Sequence, residues 1–146
     1  MSQEKLPEPL FSAVLDELIP ARSGGLAAAG ALGLGEFVEA QLGAAAVALA
    51  PALAGLDALA RERTGQAFAD APARQRAELL SQAGEAYPGF LEGVLFHLYS
   101  GYYQHPEVME ALGLEGRPPF PGGYPLETGD LGLLDAVGSR GAYRKT

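Results

Sequence analysis

Phe90-Leu-Glu-Gly-Val-Leu-Phe-His-Leu-Tyr-Ser-Gly-Tyr-Tyr-Gln-His-Pro106 decides how this chain is read. As a helix it carries one apolar stripe, Leu91, Val94, Leu95, Leu98 and Tyr102, because side chains three and four positions apart stack on one face. Phe96, Tyr99 and Tyr103 form a second stripe beside the first. Only Glu92, His97, Ser100, Gln104 and small glycines interrupt the apolar surface. A helix apolar on most sides is buried on most sides. A short chain has limited means of covering both stripes, so the stretch reads in two ways. It is a central core helix, or a core helix whose second stripe is a docking surface.

Working outward, 146 residues is the length of one domain with a real core. Hydrophobic residues make up 48% and charged residues 19%, a globular balance slightly poor in charge. A net charge of -8 argues against a nucleic-acid surface, which needs clustered Lys and Arg to neutralise phosphates. It argues equally against electrostatic docking on an anionic membrane. With no cysteine, disulfides, thiolate metal sites, iron–sulfur clusters and a Cys nucleophile are excluded. Of two uncharged runs, Gly24 to Gly35 and Ala40 to Leu56, the second is the more membrane-like. It is mostly alanine, contains Gln41 and Pro51, and falls short of about 20 strongly apolar residues, so it reads as a buried small-residue helix rather than a span.

The remaining punctuation predicts an all-α fold, a compact domain of about five to six helices with a long Pro/Gly-rich C-terminal loop and tail. Residues 1–9 read as a flexible lead, 10–112 as the helical domain, and 113–146 as extended loop and tail packing on the domain or on a partner. Leu10 to Leu18 is a short amphipathic helix stopped by Pro20. Gly35 to Leu42 turns Phe37, Val38 and Leu42 inward. A longer helix follows from Ala44 to Arg63, with Pro51 kinking it or opening a new first turn and Gly65 ending it. Phe68 sits in a connector, and Asp70 caps a helix over Ala73 to Ala86 whose Leu79, Leu80, Ala83 and Tyr87 face inward. Pro88-Gly89 breaks the chain before the aromatic helix, and Pro106 opens a short helix after it. No alternation of strand type and no internal repeat is present.

Few residues offer chemistry. Gly30-Ala-Leu-Gly33-Leu-Gly35 is not the dinucleotide fingerprint, since no strand precedes it, and no phosphate-loop lysine is present. His97 and His105 would lie about 12 Å apart along a helix axis, too far for one metal site without other ligands. The serines lack a nucleophile-elbow context. Asp16 and Glu17 diverge by about 100° on a helix and read as solvated. Glu36 and Glu39 read as a solvated face, or as a face for a partner's arginine. Nothing assembles an acid, a base and oxyanion donors. The readings left open are an interaction subunit, a small-molecule-binding helical module with Tyr and His at the mouth of an apolar cavity, and a stand-alone enzyme using His97 or His105 as base.

Several segments, in order, carry a resemblance. They are Leu15-Asp-Glu-Leu-Ile-Pro20, Phe37-Val-Glu39 with Leu42, and Gly55-Leu-Asp-Ala-Leu-Ala60 with Gly65-Gln-Ala-Phe68. Gln75 with Leu79-Leu80, Gly101-Tyr-Tyr-Gln-His-Pro106, Ala111-Leu-Gly-Leu-Glu-Gly116 and Pro121-Gly-Gly-Tyr124 complete the set. Over about residues 10–125 the chain thereby resembles the gluconate 2-dehydrogenase subunit 3 family, small subunits of membrane-associated, FAD-dependent sugar and polyol dehydrogenases. The resemblance implies a non-catalytic helical subunit that binds, stabilises or helps mature a glucose–methanol–choline-type catalytic subunit. FAD is then expected only in that partner, and haem only in a cytochrome subunit that passes electrons onward. No cofactor and no metal is expected in this chain. Many members carry a twin-arginine export signal, and Met1 to Pro9 shows none. The expected location is therefore periplasmic if a signal has been removed or the chain travels with its partner, and cytoplasmic otherwise. The candidate partner surface is Phe96, Tyr99, Tyr102, Tyr103, the His105-Pro106 turn and Tyr124 in the late loop.

Overall fold

A computed structural model describes residues 5–117, 120–123, 127–130 and 132. Among them the fold is all-α, and the only pairing of strand type is an isolated bridge between Arg22 and Leu26. Six α-helices follow one another: α1 Glu8–Leu18, α2 Leu34–Leu42, α3 Ala50–Thr64, α4 Ala73–Ala86, α5 Phe90–Tyr102 and α6 Pro106–Ala111. Short 3-10 segments at Gly43–Leu49 and Phe68–Asp70 join α2 to α3 and α3 to α4. Much of the expected 113–146 loop and tail lies outside the described residues.

α1 starts earlier than its apolar period predicts. Proline fixes φ near its helical value, so a proline in the first turn is favourable there. The chain just before it makes contacts with α2. Leu6 is 6% exposed, and its N–H donates to Glu39 Oε1 at 3.1 Å. Lys5 Nζ meets Glu36 Oε1 at 2.7 Å. Glu36 and Glu39 therefore grip their own N-terminal segment.

Phe11, Val14 and Leu15 bury the inner face of α1. The loop after it is held by α1 itself: Asp16 Oδ1 accepts from the N–H groups of Gly30 at 2.7 Å and Ala31 at 3.2 Å. Glu17 meets Arg76 of α4 at 3.5 Å. Neither acid is simply solvated, which corrects the sequence expectation. Gly30 lies so close to α1 that a Cβ there would strike the carbonyl oxygen of Ser12.

α2 opens after Gly33, at φ 69°, and turns off at Gly43, at φ 53°, a region that suits glycine. Of the two roles open to Pro51, the chain uses the second: α3 starts at Ala50 with Pro51 in its first turn, where its missing N–H leaves no bond unmade. By length and hydropathy the helical run Leu34–Thr64 is apolar enough to cross a membrane. It also supplies Val38, Leu49, Leu53, Leu56 and Ala60 to the core.

Phe68, left in a connector by the sequence, is fully buried and among the largest side chains in the core. Asp57 of α3 fixes it there by accepting the Phe68 N–H at 2.9 Å, while its other oxygen accepts from Arg61 Nε at 2.9 Å. Burying a phenylalanine contributes about 2–3 kcal/mol. Asp70 does not cap α4. Pro72 occupies the N-cap position, and its carbonyl accepts from Gln75 and Arg76. The helix thus begins too far from Asp70 for a side-chain cap. Tyr87, expected inward, is 36% exposed; its ring lies across Gly55 of α3, with no room for a Cβ beneath it.

α5 packs on α2. A Cβ on Gly101 would come within 2.6 Å of the Phe37 ring, so a glycine is what lets the two helices approach. Phe90, Val94, Leu98, Gly101 and Tyr102 form the buried face. The Tyr102 hydroxyl donates to the Ala27 carbonyl at 2.8 Å, tying the 19–33 loop to α5. Burial pushes the Tyr102 phenol above its ordinary value, Tyr103 adds to the rise, and Arg22 opposes it.

Two expectations follow. Gly30→Ala lowers stability by about 1–3 kcal/mol, read by chemical denaturation, because the new methyl meets backbone that cannot swing aside. An unchanged midpoint would show that the loop is not held against α1. The folded chain holds the Tyr102 proton more tightly than the unfolded chain does. Its contribution is therefore full below the ordinary phenol value of about 10 and is lost as pH rises past it. Tyr102→Phe costs about 1 kcal/mol at neutral pH and makes the alkaline loss shallower, both read from melts against pH.

Candidate functional site

The two stripes of α5 end up in different places. Three of the five residues of the first are buried, Val94, Leu98 and Tyr102, while Leu91 and Leu95 are partly covered. The second stripe stays in solvent: Phe96 is 74% exposed, Tyr99 46% and Tyr103 55%. These three recur at spacings of three and four, so they lie along one line of the helix surface.

The aromatic line is internally ordered. The Tyr99 and Tyr103 rings stack with centroids 6.2 Å apart, and the Tyr103 ring meets Tyr102 edge-on at 5.3 Å. Phe96 meets the His97 ring edge-on at 5.2 Å. Such pairs stiffen the rings before any partner arrives, which reduces the entropy lost on association.

Tyr102 differs from its three neighbours. It is 2% exposed and spends its hydroxyl on Ala27, so it belongs to the core and not to the surface patch. The helical period places it about 60° from Tyr99 and about 120° from Phe96 around the axis. His105 is the N-cap residue of α6, and its carbonyl accepts the Met109 N–H at 3.0 Å. Its Nδ1 is shielded and has no hydrogen-bond partner among the described residues. Pro106 is exposed at the start of α6. Tyr124 lies outside the described residues.

Beside the stripe runs a groove of about 270 Å³ between the end of α1, the Arg22–Leu26 turn and the end of α5. Leu18, Ile19, Pro20 and Leu26 line one side, and Tyr99, Tyr102 and Tyr103 the other, with Arg22 among them. The sequence reading missed this hollow, because its two walls are some 75 residues apart, as the Tyr102–Ala27 bond between them shows. Gly24 and Gly25, at φ 91° and 86°, were the one local sign of a sharp turn there. Among the described residues no group of three or more His, Asp or Glu side chains is placed to hold a metal ion.

Neither a curated protein nor a solved structure matches the chain. The sequence pattern that describes gluconate 2-dehydrogenase subunit 3 matches residues 8–122, which is α1 through α6 and the start of the late loop. With that match over most of its length and a helical fold to go with it, the chain belongs to the gluconate 2-dehydrogenase subunit 3 family.

Proposed function

We propose that this chain is a non-catalytic accessory subunit that binds an FAD-dependent, glucose–methanol–choline-type dehydrogenase subunit and stabilises it or assists its maturation. The observation that carries the reading is the ordered aromatic line Phe96, Tyr99 and Tyr103, left in solvent on the helix that anchors the core. Large aromatic side chains are the usual anchors of an interface, and their exposure is costly unless something covers them. Membership of a family of dehydrogenase subunits supplies the class of partner. FAD sits in that partner, and haem in a cytochrome subunit beyond it. This chain holds neither, and its apolar run Leu34–Thr64 serves the helical core instead of a membrane span.

The test is co-expression with a flavoprotein dehydrogenase subunit from the same genome, followed by co-purification and a binding titration. Phe96→Ala and Tyr103→Ala each weaken the complex by roughly tenfold or more, as the loss of a central anchor does. Both positions are exposed, so the melting temperature of the free subunit stays within a few degrees. A chain that remains alone beside the co-expressed flavoprotein, or variants that bind as the parent does, would contradict the reading.

A further inference from the structure

The groove beside the aromatic line carries a feature that the line itself does not. The protein has a net charge of -8, yet an arginine stands in this apolar hollow. Among the described residues Lys5, Arg61, Arg76 and Arg117 each face a carboxylate, while Arg63 and Arg74, like Arg22, are in no ion pair; of these three only Arg22 lines the groove. Its backbone is fixed, since the Arg22 N–H donates to the Leu26 carbonyl at 2.9 Å across the Gly24-Gly25 turn. Arg22 is exposed, and its side chain lines the groove together with Leu18, Ile19 and Leu26 on one side and Tyr99 and Tyr103 on the other.

From this juxtaposition we infer that the groove receives a segment of the dehydrogenase partner in which a large apolar side chain is followed closely by a carboxylate. The inference rests on the accessory-subunit reading and names the chemistry that the partner must present. The apolar side chain fills the hollow, and the carboxylate takes the Arg22 fork, a geometry in which arginine binds both oxygens. The hollow is continuous with the exposed line through Tyr99 and Tyr103, so one footprint covers both. The chain's own Leu133-Leu134-Asp135 has similar chemistry. It is followed by Arg140, Arg144 and Lys145, whose charge has the same sign as that of Arg22. That disfavours it as the occupant.

Two measurements on the full chain, co-expressed with the flavoprotein subunit, test this. Arg22→Glu lowers the affinity of the complex by roughly tenfold or more, leaves the melting temperature of the free subunit unchanged, and removes much of the salt dependence of binding. Ser23→p-benzoylphenylalanine, on the same turn, cross-links under light to the flavoprotein at a peptide with an Asp or Glu next to an aliphatic or aromatic residue. A complex that forms but ignores Arg22→Glu overturns this inference and leaves the accessory-subunit reading standing. A cross-link to residues 133–146 of the same chain, or to a second copy, also overturns it. Failure of the unmodified chain to form any complex overturns both.

Discussion

The fold depends on the close packing of α5 against α2. Gly101 removes the side chain that would hold the helices apart, and Phe37 occupies the space it leaves. That contact chooses which of two comparable apolar stripes goes inside. Once Val94, Leu98 and Tyr102 are committed to the core, the helical period carries Phe96, Tyr99 and Tyr103 away from it. The surface patch is therefore a geometric consequence of the core. Sequence changes on the inner face that leave it packed would leave the outer face where it is.

Around that contact the loops are held by carboxylates that accept backbone N–H groups. Asp16 holds Gly30 and Ala31, Glu39 holds Leu6, and Asp57 holds Phe68. Each satisfies a donor that would otherwise cost about 1–3 kcal/mol if buried unpaired. The device suits a chain rich in alanine and glycine, whose small side chains fill space but cannot fix a loop by bulk. It also explains part of the negative charge. Each of these acids accepts a backbone N–H of the segment it holds.

The helical class and most element boundaries were legible, because they are written locally. Pro88-Gly89 and Pro106 bound α5, Gly65 ends α3 at φ 76°, and Pro51 opens a first turn. The burial of Phe68 was not legible, since no period surrounds it and its place is set by Asp57 across a turn. Leu6 and the Glu36–Glu39 grip were hidden for the same reason, being made across more than 30 residues. Of the candidate surface, Phe96, Tyr99 and Tyr103 emerged exposed and Tyr102 did not, a distinction that needs the position of α2 and the Ala27 carbonyl. The groove at Arg22 arises only when α1 and α5 meet, and no local pattern announces it.

The central claim is that the outer face of α5 is covered by a dehydrogenase subunit. Hydroxyl-radical footprinting read by mass spectrometry, on the free chain and on the co-purified complex, addresses it directly. The account predicts that Phe96, Tyr99 and Tyr103 are readily oxidised in the free chain and protected in the complex, while Tyr87, on the α3–α4 side, reacts equally in both. Equal oxidation of the three aromatic residues in the free and bound states would contradict it.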